Sequence, residues 1–162
     1  MRLRESHSLP VALDNAWTAL NDVAILQRVL PGCESLIEIA RDEFVGEMAV
    51  PMGLATHHFT VYVHRRDVVA PRHCTLHFET RTAGTAGVGA AVLALAADGA
   101  TSTLLEADIA VTLDGVLGVL GAPLIELAAH EMIRQFFEGL GAVAGARARA
   151  RVTRAGMDAR IP

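Results

Sequence analysis

Apolar residues recur along this chain with two different periods, and the change of period divides it into elements. Between residues 121 and 140, Leu124, Ile125, Ala128, Ala129, Met132, Ile133, Phe136, Phe137 and Leu140 fall three and four positions apart. That spacing predicts a helix with one wide buried face. Glu126, His130, Arg134 and Glu138 step by four along another face, where Arg134 and Glu138 can pair. Pro123 suits the first turn, where its missing N–H would have no partner anyway. Upstream the period drops to two. Phe44, Gly46, Met48 and Val50 alternate with Val45, Glu47 and Ala49. Phe59, Val61 and Val63 alternate with His58, Thr60, Tyr62 and His64, and Cys74, Leu76 and Phe78 with Thr75, His77 and Glu79. Leu105, Ala107, Ile109, Val111 and Leu113 alternate with Glu106, Asp108 and Thr112. These runs predict antiparallel strands with one wet face. Residues 88–97 are apolar on both faces but small, Gly99 marks a hairpin, and Arg65 to Arg72, with Pro71, reads as a polar turn.

The N-terminal part is different. Residues 2–9 predict one strand, which Pro10 ends. Asp14 then opens a short helix with Ala16, Trp17 and Leu20 on its buried side. Asn21-Asp22 can cap a second short helix bearing Val23, Leu26, Val29 and Leu30, and Pro31-Gly32 stops it. The predicted fold is therefore α+β: a curved antiparallel sheet of about seven strands, two short helices near the N-terminus and a long C-terminal helix across the sheet. Gly87, Gly89, Ala90, Ala91, Ala94, Ala107 and Ala129 are read as inward and small. With few aromatics to fill the space between helix and sheet, they predict a hollow there.

Composition narrows the function. A length of 162 residues fits one domain, here 1–146, followed by an Arg-rich tail, 147–162, expected to fray. Every basic side chain is Arg, and the net charge of −4 argues against a nucleic-acid partner. The tail holds five Arg and one Asp, so the body before it is more acidic than the whole. No run is apolar enough to span a membrane, and the N-terminus lacks a signal-peptide core. A cytoplasmic location is expected, with peripheral contact at the inner face of the membrane left to the tail. Cys33 and Cys74 stand alone and read as reduced thiols. His57 and His58 point to opposite faces of a strand, and His58 and His64 lie about 20 Å apart along one. No metal site is expected from them, nor any cofactor. The serines lack a nucleophile-elbow context, so no catalytic residues are assigned. Gly84, Gly87 and Gly89 precede no helix and read as a hairpin bringing the backbone close to a ligand or to the helix. Glu106 and Asp108 read as solvated charges on the outer face.

Two stretches carry a family resemblance. AWTALNDVAILQRVLPGCESL places a Trp in the first helix, then an Asp, then Pro-Gly-Cys before the second strand. The stretch 84–140 follows with a Gly-rich hairpin, a strand ending in Gly and a helix closing on Phe-Phe. Together they resemble the G-subunit family of carbon monoxide dehydrogenase, over roughly residues 1 to 142, with a looser match from Val50 to Thr82. That family has the START-like, or helix-grip, fold. The resemblance implies a non-catalytic accessory protein of a molybdenum-containing carbon monoxide dehydrogenase or related hydroxylase. It implies a hydrophobic small molecule, a quinone or a lipid, as ligand, and a link to the membrane. The expected cavity wall is Phe44, Met48, Val50, Phe59, Val61, Leu76, Phe78, Leu105, Ile109, Met132 and Phe136, with Trp17 either in the core or at the mouth. Arg147, Arg149, Arg151 and Arg154 are the expected membrane or partner contacts. Two departures from the family pattern stand out: the tail is short, and Pro123 interrupts what is usually one helix, so that Gly115 to Gly121 would form a lip over the mouth. The alternatives are a polyketide cyclase or aromatase of the same superfamily, and an assembly factor with a filled core.

Overall fold

The computed structural model describes residues 1–115, 119 and 121–160. Strand β1 (Arg2–Leu9) is followed by helices α1 (Leu13–Leu20) and α2 (Val23–Val29). Six strands come next: β2 (Cys33–Ala40), β3 (Glu43–Met52), β4 (Ala55–Val69), β5 (His73–Thr82), β6 (Thr85–Ala97) and β7 (Thr103–Gly115). Helix α3 (Ala122–Asp158) closes the described chain. The strands form a single sheet in the order β1-β7-β6-β5-β4-β3-β2 with antiparallel neighbours throughout. Hairpins make every neighbour pair except the first. There β1 returns to β7, with Leu3 opposite Ile109 and His7 opposite Leu105. Helix α3 touches β1 near one edge, β3 near the other, and both short helices, so it crosses the inner face.

Local chemistry explains the punctuation. The Asp22 side chain accepts a hydrogen bond from the Ile25 N–H (3.1 Å) and caps α2. Gly32 turns the chain after α2 at φ +73°, where a Cβ would lie 2.1 Å from the Ala49 carbonyl oxygen. Pro123 lies in the first turn of α3 rather than inside it. The lip expected at Gly115 to Gly121 falls mostly outside the described residues.

Three expectations need correction. Strand β4 does not stop at His64. Arg65 and Arg66 pair with Leu76 and Thr75, and the register breaks only after them, near Asp67 at φ +51°. Charged side chains do not end a ladder that their own backbone continues. Ala90 and Ala94 face outward, because Gly89, Ala91, Leu93 and Leu95 hold the inward phase of β6. The Arg-rich segment is helical to Asp158, since Ala and Arg are both strong helix formers and need no apolar stripe to continue a helix already begun. None of the described helices is long and apolar enough to cross a membrane.

Two packed clusters bound the interior. The larger joins Leu9, Val11, Ala16, Ile25, Leu95, Leu105, Leu140 and Ala144 where α1, α2 and the second half of α3 meet the sheet. The smaller is Val50, Met52 and Phe59, with Met48, Val61, Ala128 and Met132 against it, under the start of α3.

Candidate functional site: an apolar cavity between helix and sheet

Between the two clusters the strands carry small or flat residues across successive registers. Ala107 lies opposite Leu93, Ile109 opposite Ala91, and Val111 opposite Gly89. On the next pairing Cys74 faces Leu93, Leu76 faces Ala91 and Phe78 faces Gly89. Helix α3 supplies Ala129, Met132, Ile133 and Phe136 above them. The space left is a cavity of about 470 Å³, within the usual range for small-molecule sites. Its wall is apolar over most of its area, so it favours an apolar occupant over water.

Of the residues expected in this wall, Phe44, Met48, Val61, Leu76, Phe78, Ile109, Met132 and Phe136 line it. Four do not. Leu105 is fully enclosed in the larger cluster, and Trp17 packs against that cluster from α1. Val50 and Phe59 form the smaller cluster. All four lie on the inner side, but in packed layers at the ends of the hollow. The phase of a strand tells which face a residue takes, not whether the layer above it is filled.

The wall also holds polar side chains that hydrophobic patterning does not mark, Asn21, Arg65 and Thr80, beside the Cys74 thiol on the inward phase already read. Arg65 is the one charged side chain among the described residues of the wall, and its phase is legible in the sequence: it continues Phe59, Val61, Val63 by two. Its Nε–H donates to Asp42 Oδ1 at 2.8 Å, and Nη2 lies 2.6 Å from the same oxygen. Nη1 donates to Asn21 Oδ1. Asn21 is itself oriented by its Nδ2, which donates to the Trp17 carbonyl (2.8 Å). Asp42 sits at φ +61° in the β2–β3 turn, and its carbonyl also accepts from the Arg65 N–H (2.8 Å). The guanidinium stands 5.6 Å from the centre of the Phe44 ring, a cation–π distance. Burial pushes the Cys74 thiol up, and the Arg65 charge draws it partly back. The Thr80 hydroxyl is buried with no hydrogen-bond partner among the described residues.

Other titratable groups meet outside the cavity. Glu5 on β1 lies 2.6 Å from His130 Nδ1 on α3. His7 stacks on Phe137 with ring centres 4.4 Å apart, its Nε2 3.7 Å from Glu5 and beyond hydrogen-bond reach. On the outer face Arg2 and Arg4 both reach Asp108 (2.7 and 3.2 Å). A second hollow of about 430 Å³ lies by Tyr62, His64, His77, Glu79 and Val88. No group of three or more His, Cys, Asp or Glu able to hold a metal occurs among the described residues. The Arg-rich end of α3 is exposed apart from a few contacts. There Arg147 Nη1 lies 2.8 Å from Asp22 Oδ2, so it is tied to the cap of α2, while Arg149, Arg151 and Arg154 make no ion pair among the described residues.

Comparison with known proteins agrees with this architecture. A conserved protein from Geobacillus kaustophilus superposes with a TM-score of 0.85 at 18% identity, covering 90% of this chain and 96% of that one. A START superfamily protein from Mycobacterium smegmatis gives 0.71 at 10% identity, covering 90% and 97%. An aromatase/cyclase from a Streptomyces species gives 0.67 at 16% identity, covering 93% and 97%. Identities this low show the fold alone, which is START-like. Among curated proteins none matches the chain. The family model for the carbon monoxide dehydrogenase G-subunit, CoxG, matches residues 7–145, from β1 to well into the Arg-bearing helix. The chain belongs to the G-subunit (CoxG) family of carbon monoxide dehydrogenase.

Proposed function

We propose that this protein carries a quinone or another lipid in the cavity under α3 and serves as an accessory protein of a molybdenum-containing carbon monoxide dehydrogenase or a related hydroxylase. Family membership and a START-like fold support an accessory role with a hydrophobic ligand. The observation that carries the reading is the cavity itself, about 470 Å³ with an almost wholly apolar wall. A carrier of this kind would deliver its ligand between enzyme and membrane, with Arg147, Arg149, Arg151 and Arg154 as the proposed contact surface.

An enzymatic reading draws on the cyclase-like fold of one structural relative. It needs an acid and a base converging on the cavity. Glu5 and His130 do pair, but neither lines the cavity, and the lining Arg65 is engaged by Asp42. The carrier reading is favoured for that reason. A filled-core assembly factor is disfavoured by the open space.

The test is native mass spectrometry of protein purified from its host, together with the Ala129→Phe variant. Ala129 lines the cavity from α3 without being fully buried, so a ring there fills space rather than displacing packed atoms. The wild type should carry a quinone or lipid mass. The variant should keep its melting temperature and lose that mass. A melting temperature lowered by an overpacking cost of about 1–3 kcal/mol, with no ligand on either protein, would overturn the carrier reading.

A further inference from the structure

Building on the carrier reading, we infer that Arg65, held by Asp42 behind it, forms the head-group end of the cavity and selects an apolar ligand headed by an uncharged carbonyl, as in a quinone, over one headed by a carboxylate. The inference starts from hydrogen-bond capacity. A guanidinium carries one N–H on Nε and a pair on each terminal nitrogen. Asp42 and Asn21 engage one on each nitrogen, so Nη1 and Nη2 each keep a donor. Apart from Asn21, already engaged, and the Cys74 thiol, Arg65 lines the cavity beside Leu76, Phe44 and Val63, none of which offers an acceptor side chain. A ligand oxygen brought to this end meets donors that are already fixed in direction. Asp42 and Asn21 fix the guanidinium from two separate segments, the β2–β3 turn and the α1–α2 junction, and the Phe44 ring supports its face. Little side-chain freedom remains to be lost on binding.

Charge decides the class of head group. Asp42 already neutralises Arg65, and both side chains are mostly shielded, at 21% and 27% exposure. A neutral carbonyl accepts the spare hydrogen bonds and leaves that balance intact. A carboxylate would bring a second negative charge beside Asp42 into a poorly solvated site, where the one other cation paired with Asp42 among the described residues, Arg41, is 97% exposed and 3.8 Å from Asp42 Oδ2 and so compensates it only weakly. The apolar remainder of either ligand would lie along Ile109, Ala91 and Met132 equally well. Discrimination therefore rests on the head alone.

The same residues also staple the turn, the helix junction and β4 together, so the test must separate selection from structure. The single Trp, Trp17, provides the signal, since a bound quinone quenches indole emission; displacement of the quinone reports the second probe. The probes are a benzoquinone with a short isoprenoid chain and a saturated fatty acid of similar size. The wild type should bind the quinone and bind the fatty acid at least tenfold more weakly, roughly the effect of one unsatisfied charge-assisted hydrogen bond. Arg65→Met should weaken the quinone by about tenfold or more. Asp42→Asn keeps a hydrogen-bonding partner but frees the Arg65 charge, and should reverse the preference toward the fatty acid. The two variants fail differently if they fail to fold, and Asp42→Asn alone decides through the ratio of the two affinities. Wild-type quinone binding with an unchanged ratio in Asp42→Asn and an unchanged affinity in Arg65→Met would reduce the cluster to a staple and overturn the inference, leaving the carrier reading in place. Binding of neither probe by the wild type would overturn both.

Discussion

At the scale of single residues, Gly89 shows how a cavity is kept open from beside rather than from within. A methyl group there would lie 2.5 Å from Phe78 Cζ and 2.5 Å from the Ala110 carbonyl oxygen. The Phe78 ring therefore rests against bare backbone instead of standing up into the hollow it lines. Gly89→Ala should push the ring inward. We expect a lower melting temperature, from an overpacking cost of about 1–3 kcal/mol, together with reduced uptake of a quinone probe. An unaltered melting temperature and uptake would show that the ring has another place to go. The glycine run is visible in the sequence as a close approach of backbone, but its partner, a ring on the neighbouring strand, is not, because nothing in one strand names the register of the next. Ala90 and Ala94 mislead for a related reason. Strand β6 has no polar residue to mark its wet face, so its phase is set only by what it pairs with. Arg65 looks like the opening of a turn although it keeps the inward phase, since charge is a strong cue for exposure and a shielded partner such as Asp42 lies twenty-three positions away.

At the scale of elements, period alone locates the strands and helices, with Asp22 and Pro123 where capping and helix initiation want them. It does not locate the end of α3. Beyond Ala146 the helix has no stripe to read, and propensity, the Arg147–Asp22 ion pair and the packing of Ala148 on the larger cluster speak for it. The pairing of β1 with β7 also escapes periodicity, and on its outer face it carries a pH signature. The Arg2 guanidinium, hydrogen-bonded to Asp108 and seconded by Arg4, holds that carboxyl down to about 2. A carboxyl whose folded value is depressed stabilises the fold above its ordinary range, and the contribution disappears as the pH falls toward the folded value. Asp108→Asn should therefore melt with less dependence on pH than the wild type between about pH 4 and about 2. The pair is exposed, so salt should shrink the difference. Parallel melting curves for the two proteins across that window at low salt would show that the contact does not form in solution.

At the scale of the whole molecule, charge is divided between an acidic body and a basic helix end. The exposed Arg149, Arg151 and Arg154 can meet an anionic surface, while Val152 and Met157 are too few to insert a helix into a bilayer. We expect weak, salt-sensitive binding to anionic vesicles, lost when the chain is cut after Ala146. Equal binding by the cut and uncut proteins at low salt would remove the helix end as the contact. The cut also frees Asp22 from Arg147, so melting should be followed alongside. The return of β1 to β7 has a temporal consequence. Arg2 pairs with Ala110, so β1 finds its partner only after β7, some hundred residues later, has been translated. The entropy of closing so long a loop grows slowly with its length, but contacts of such high sequence separation form late. Until they form, the nascent sheet has one edge unpaired and the pocket one side missing. On the proposed carrier reading a ligand can be held only once β1 has met β7, which makes loading an event of the protein's working life rather than of its birth.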